Sequence, residues 1–96
     1  MIKVCDICGK RAECVHHLIF GFGYRNLADE DALLMNMCNE CHNLASGTGK
    51  IHGNSMAENL SKKLGQAIWE RDHIAKAGSQ EAVRQLFMLR YGRSFL

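Results

Sequence analysis

The sequence predicts a small α+β domain, with short strands in its N-terminal half and two helices in its C-terminal half. Residues 1–53 are rich in cysteine, histidine and glycine, and their regular segments are short. In residues 54–96, apolar residues recur at helical spacing and glycines stand where helices would end. Because 96 residues suit a single domain, we expect one unit (1–96) made of a core and a helical extension.

Short elements joined by glycine-containing turns are predicted for the N-terminal half, because its β-forming runs are brief. The predicted elements are strands at 4–5 and 12–19 around a Gly9-Lys10 turn, a loop at 21–26, an apolar run at 33–37, and a short helix at 38–45 that ends in residues 46–49.

Two helices are predicted for the C-terminal half. Ser55 and Glu58 fit a capping box at the start of the first. Gly78 ends this helix, Ser79 caps the next, and Gly92 ends that one. Met56, Leu60, Leu64 and Ile68 form one apolar stripe on the first helix, which we expect to face the core. Val83, Leu86, Phe87 and Arg90 define the faces of the second helix, and Trp69, Phe87, Tyr91 and Phe95 are expected in the core.

Four cysteines occur as two Cys-x-x-Cys pairs separated by about thirty residues. These are Cys5 with Cys8 and Cys38 with Cys41. Each pair places two sulfurs on one tight turn, and four thiolates close a tetrahedral Zn²⁺ site. The spacing therefore predicts a structural zinc ion that stabilises a small core. Cys14 is the fifth cysteine, and we expect it to be a core thiol.

Composition excludes several classes of protein. No apolar run is long enough to span a membrane, and no signal-peptide pattern opens the chain. An odd number of cysteines in such a chain favours reduced thiols over a disulfide framework, and hence a cytoplasmic location. A thiol oxidoreductase is disfavoured because it would need one redox pair beside a βαβ pattern. The net charge of +2 permits nucleic-acid binding without requiring it.

Histidines accompany the zinc framework in a distinctive order. His16 and His17 are adjacent, His42 directly follows Cys41, and His52 lies in an Ile-His-Gly-Asn segment. The strings VHHLIFG, CNECHN and IHGN resemble those of the HNH endonucleases, also called ββα-metal nucleases. With LSKKLGQAIWE and RQLFMLRYGRSFL, residues 5–96 resemble a group of small phage and prophage HNH proteins.

This resemblance implies a zinc-stapled, treble-clef-like ββα-metal fold and a site for phosphodiester hydrolysis. It implies that His17 is the general base and that His16 and His42 bind a catalytic Mg²⁺, Mn²⁺ or other divalent ion. Adjacent strand residues point to opposite faces, which agrees with different roles for His16 and His17. His52 has two interpretations, as a further metal ligand or support, or as a phosphate contact.

One feature of the HNH family is missing from this chain. Many HNH proteins carry an asparagine a few residues before the second cysteine pair, whereas this chain has Leu33 and Leu34 there. Asparagines that could fill its role are Asn26, Asn36 and Asn43.

The candidates for contacting DNA phosphates are Arg25, in the glycine-rich loop, and Lys50, since cations bind the DNA backbone without reading its sequence. His73 is expected to be exposed on a helix.

The function expected from the sequence is metal-dependent cleavage of DNA, by nicking or by double-strand cleavage, with weak sequence specificity. The expected setting is the cytoplasm of a bacterium or a phage-infected host. The alternative is a non-catalytic, zinc-stabilised module for DNA binding or assembly. The two differ in the need for histidines, because a purely structural zinc site has no use for His16, His17 and His42.

Overall fold

A two-stranded antiparallel sheet and three α-helices form the part of the chain that the computed structural model describes, residues 3–44 and 50–96. The expected α+β class is therefore confirmed. The elements are β1 (Cys14–His17), α1 (Tyr24–Glu30), β2 (Leu34–Met37), a π-helical turn (Glu40–Leu44), α2 (Ser55–Ala77) and α3 (Gln80–Tyr91). The expected end of the short helix at 46–49 lies outside the described residues. Within them, no helix combines the length and apolar character needed to cross a membrane.

Strand β1 pairs with β2 rather than with the N-terminal segment. Cys14 lies opposite Met37 and His17 lies opposite Leu34. The hairpin predicted around Gly9 is reduced to a single bridge between Val4 and Arg11. Within the turn the Cys5 N–H donates to the Lys10 carbonyl, and the Asp6 N–H donates to the Asn36 carbonyl across to β2. The N-terminal turn is thus fastened to the end of the sheet that carries the second cysteine pair.

Helix α1 stands where the sequence predicted a loop. Gly21 and Gly23 have positive φ angles of 116° and 85° and do form a turn. The helix begins directly after it, and Ala28 is buried in the core while Leu27 packs against it. The prediction was wrong because this short segment contains too few apolar residues to show a helical period, and two glycines precede it.

The start of α2 also differs from the prediction. Asn54, not Ser55, is the N-cap, and its side chain accepts a hydrogen bond from the Ala57 N–H. Glu58 therefore closes no capping box, and its carboxylate instead lies 3.5 Å from the His52 ring nitrogen Nδ1.

Most of the apolar stripe on α2 lies at the surface. Met56, Leu60 and Leu64 are 73%, 59% and 45% exposed, which contradicts the predicted orientation, whereas Ile68 packs against the core. The buried face carries Ser61, Gly65, Gln66 and Glu70, which are small or polar, and one large aromatic residue, Trp69. The helix turns this face inward because it must approach the chain after β1 closely, and only small side chains permit that approach.

Contact between α2 and the residues that follow β1 is closest at Gly65. A β-carbon at this position would lie 2.7 Å from Ile19 Cγ1 and 3.1 Å from Leu18 Cβ. One turn earlier, the Ser61 hydroxyl donates a hydrogen bond of 2.8 Å to the Leu18 carbonyl. A glycine and a serine therefore fix how α2 sits against the sheet.

The main core lies between α1, α2, α3 and the segments flanking the strands. Its buried members are Leu18, Ile19, Ala28, Leu33, Trp69, Val83, Phe87 and Tyr91. Gly78 and Gly92 end their helices in left-handed geometry and the Ser79 side chain caps α3, as predicted. His73 is not simply exposed, since its ring stacks on Trp69 at a centroid distance of 4.0 Å.

Two ion pairs hold α3 in place. Glu70 accepts hydrogen bonds from Arg84, Gln66 and Gln80. Burial opposes ionisation of this carboxyl, but these donors lower its pKa below the usual value. Glu70 is therefore engaged by Arg84. On the opposite side, Arg90 and Tyr91 both donate to Asp31 at 2.7 Å.

We predict that Gly65→Ala destabilises the protein, although alanine is the better helix former. The added methyl group meets Ile19 side-chain atoms, and overpacking of this kind costs about 1–3 kcal/mol. Urea denaturation gives the change in the free energy of unfolding. Asn59→Ala, at an exposed position of the same helix, is the control and should be neutral or stabilising. A stabilised Gly65→Ala variant would contradict the close packing of α2.

Candidate functional site

The four paired cysteines converge at the end of the sheet. Cys5 and Cys8 come from the N-terminal turn, Cys38 follows β2, and Cys41 lies in the π-helical turn. Their sulfurs all lie within 4.8 Å of one another, and those of Cys8 and Cys38 are 3.6 Å apart. Zn–S bonds of about 2.3 Å place the sulfurs of a tetrahedral site about 3.8 Å apart. The cluster could therefore hold a metal ion such as zinc.

The surroundings of the sulfurs favour a bound cation. Burial opposes ionisation of Cys5, but backbone N–H groups of Cys38, Cys8 and Ile7 donate to its sulfur and lower its pKa to about 6. Burial and the neighbouring thiols raise the pKa of Cys41. Four crowded sulfurs cannot all ionise without a cation, and a bound metal ion removes that conflict.

Cys14 stands apart from this cluster, as the sequence predicted. Its sulfur donates to the Met37 carbonyl at 3.3 Å and lies 3.5 Å from His42 Nδ1. Burial raises the pKa of this thiol, which keeps it protonated. Cys14 therefore links the cysteine-rich end of the sheet to a second cluster, which is built from histidines.

The second cluster brings together His16 of β1, His42 of the π-helical turn and His52. Each offers a ring nitrogen within 4.8 Å of the others, and the ring centroids are 4.5–5.1 Å apart. The Nε2 atoms of His42 and His52 are separated by 2.9 Å. Two imidazole nitrogens bound to one ion at about 2.1 Å lie about 2.9–3.4 Å apart, so the spacing fits a shared ion.

Hydrogen-bond partners on the outer side of each ring indicate which nitrogen faces the centre. Ser61 Oγ donates to Leu18, so it accepts from His16 Nε2 at 2.7 Å. That leaves His16 Nδ1 unprotonated, and this buried atom has no hydrogen-bond partner in the described structure. A buried nitrogen lone pair without a donor is costly, and a cation at the centre of the cluster would satisfy it.

The other two rings follow the same pattern. The Cys14 sulfur accepts from His42 Nδ1, since its own proton is directed at Met37. The Glu58 carboxylate lies beside His52 Nδ1. Both Nε2 atoms are then lone-pair nitrogens that face each other. Histidine ligands of metals commonly have their second nitrogen held in this way by a carboxylate, a hydroxyl or another acceptor.

Ring protonation states agree with this assignment. Burial, followed by the neighbouring His42 and His52, lowers the pKa of His16 to about 4. Burial, His52 and Arg25 also lower the pKa of His42. At neutral pH these imidazoles are uncharged, which is the form that binds a metal.

A cavity of about 310 Å³ opens onto this cluster. Its lining comprises Val15, His16, His17, Phe20, Gly21, Arg25, His42 and His52. The structure therefore places all four histidines singled out in the sequence, together with Arg25, around one opening. A group held here would contact an open side of the histidine cluster, with Arg25 as the only side chain of fixed positive charge in the lining.

His17 has a partner that the sequence did not suggest. Its Nε2 lies 2.8 Å from Asp29 Oδ1, on α1. The N–H at Nε2 donates to the carboxylate, so Nδ1 keeps its lone pair. Asp29 is carried by helix α1, part of which the sequence analysis had assigned to a loop.

Other candidates lie elsewhere. Lys50 does not line the cavity, and Asn26 is exposed on α1. The Asn36 N–H donates to the Asp6 carboxylate, and the Asn36 carbonyl accepts from the Asp6 N–H. The side chain of Asn43 lies outside the described structure. Sequence reasoning missed Ser61, Glu58 and Asp29 as partners of the histidine rings, because their contacts depend on where the helices lie. The histidine-rich pattern was the one signal that such hydrogen-bond partners should exist.

Comparisons with protein-family models, with curated proteins and with solved structures found no match.

We predict one tightly bound zinc ion per chain, held by the four clustered cysteines. Cys41→Ser should lose the metal and unfold the N-terminal half, because metal binding there is coupled to folding. Cys14→Ala is the matched control and should keep zinc at a cost of about 1–2 kcal/mol in stability. Elemental analysis and thermal unfolding measure both. Zinc loss from Cys14→Ala, or zinc-free wild-type protein purified without chelator, would overturn the ligand assignment.

Proposed function

We propose that the protein is an HNH-type, metal-dependent DNA endonuclease. The observation that carries the proposal is the convergence of His16, His42 and His52 beside His17 and Arg25 on a single cavity. A structural zinc site needs none of these groups. The resemblance of the VHHLIFG, CNECHN and IHGN strings to the HNH nucleases agrees with the proposal.

His16, His42 and His52 are the proposed ligands of a catalytic divalent ion. The donor set fits, because each ring has its second nitrogen engaged and its first directed inward. Three neutral ligands leave the ion its full positive charge and open positions toward the cavity. An ion bound there would stabilise the charge that develops on the phosphate and on the leaving oxygen. Of the two interpretations of His52, the ligand role is the one that its 2.9 Å separation from His42 supports.

His17 is the proposed general base. It takes a proton from a water molecule through Nδ1 as the water oxygen bonds to phosphorus and the bond to the ester oxygen breaks. The Asp29 carboxylate accepts from Nε2, fixes the tautomer and stabilises the imidazolium that forms. Arg25 is placed to contact a phosphate of the bound strand.

Cleavage of supercoiled plasmid tests the proposal. We expect nicked or linear product with Mg²⁺, Mn²⁺, Ni²⁺ or Zn²⁺ added. His17→Ala should lose about 10²–10⁴-fold in rate, the usual contribution of a general base. Its zinc content and thermal stability should stay unchanged. Absence of cleavage with every ion would favour the alternative, a zinc-stabilised DNA-binding or assembly module.

Asp29→Asn tests the orientation of the base. The expected loss of cleavage rate is about 2- to 10-fold, because the carboxylate is largely exposed and its interaction is screened. Glu30→Gln removes a charge at the next position of α1 and is the matched control. Equal effects of the two substitutions would show that Asp29 acts only through the overall charge of α1.

A further inference from the structure

Phe22 is the most exposed large apolar residue in the described part of the chain. Its exposure is 105% of the reference value, so its ring has no cover from the rest of the protein. Isolated exposed apolar residues are common and by themselves indicate no function. Phe22 differs because a rigid turn presents it beside the candidate active site.

The turn comprises residues 21–24 and has type II geometry. The Tyr24 N–H donates to the Gly21 carbonyl at 3.2 Å, and Gly23, at the third position, has φ 85° and ψ −22°. This conformation favours glycine at the third position and leaves the second residue, Phe22, at the corner. The turn is anchored because the Tyr24 ring packs against Tyr91 and Phe95. The ring of Phe22 is therefore held outward by the backbone.

This turn adjoins the histidine cavity. Phe20 and Gly21 precede Phe22 and line the cavity, and Arg25 lines it three residues later. Phe22 lies next to this lining rather than in it, and Val15 is an exposed apolar residue of the lining itself. Lys62 adds positive charge, with its Nζ 4.8 Å from the centre of the Phe20 ring.

We propose that Phe22 stacks on an unpaired or unstacked base next to the phosphate bound in the cavity. The proposal rests on the proposed nuclease function and specifies its substrate as nucleic acid with accessible bases, such as a single strand or a gapped or branched duplex. Every base has a π-face, so stacking tolerates any sequence. An intact duplex would first have to be opened at a base step, which costs free energy.

Binding measurements test this without relying on cleavage. In a His17→Ala background, fluorescence anisotropy gives the affinity for a labelled single-stranded oligonucleotide, for the matching duplex and for a gapped duplex. We expect Phe22→Ala to weaken binding to the single strand and the gapped duplex by about 10-fold, with a smaller effect on the intact duplex. Leu89→Ala, which removes an equally isolated apolar side chain from α3, is the control and should change nothing.

A tryptophan reporter distinguishes stacking from general loss of affinity. Phe22→Trp should keep binding and show quenched emission when oligonucleotide is added, whereas the buried Trp69 should contribute an unchanged background. Normal DNA binding with no effect of Phe22→Ala and no quenching would overturn the proposal while leaving the nuclease function intact. Quenching that depends on protein concentration without DNA would overturn it in favour of self-association. Failure of every variant and of the wild type to bind nucleic acid would overturn both proposals.

Discussion

Close packing of α2 against the chain that leaves β1 is the constraint on which the rest of the structure depends. Gly65 lets the helix reach Ile19, and Ser61 links the Leu18 carbonyl to the His16 ring. The same contact therefore serves the fold and the site. It buries His16, sets which of its nitrogens faces inward, and lowers its pKa to about 4. A larger residue at Gly65 would shift the helix, and the histidine cluster would lose the hydroxyl that orients one of its rings.

The two clusters meet different physical needs. The buried residues next to the cysteines are few, namely Cys5, Met37 and Cys38, so this end of the molecule has little hydrophobic stabilisation of its own. A metal ion that joins four sulfurs supplies what such a small core lacks. The histidine cluster is different, because its three rings are held by Ser61, Cys14 and Glu58 and line an open cavity. An ion bound there would be open to the cavity. Cys14 contacts both regions and so connects the cysteine cluster to the histidine cluster.

Local signals in the sequence predicted much of this arrangement, and tertiary placement explains the rest. The cysteine spacing predicted the sulfur cluster, and the glycines at 78 and 92 with Ser79 predicted the helix ends, because each depends on a few neighbouring residues. The predicted orientation of α2 was wrong because most of its regular apolar stripe lies at the surface. The buried face instead contains a serine and a glycine, whose small size permits close packing. Helix α1 was missed because its sequence shows no recognisable apolar periodicity. The pairing of Asp29 with His17 was missed for the same reason. No periodicity rule could have found partners that lie on separate elements.

We propose that the histidine cluster binds a second metal ion, distinct from the one that the cysteines could hold. Anomalous diffraction from a crystal soaked in Mn²⁺, recorded at energies that separate manganese from zinc, tests this most directly. We expect a zinc peak among Cys5, Cys8, Cys38 and Cys41, and a manganese peak within bonding distance of ring nitrogens of His16, His42 and His52. A zinc peak at the cysteines with no metal at the histidines, at a Mn²⁺ concentration that supports DNA cleavage, would contradict the account.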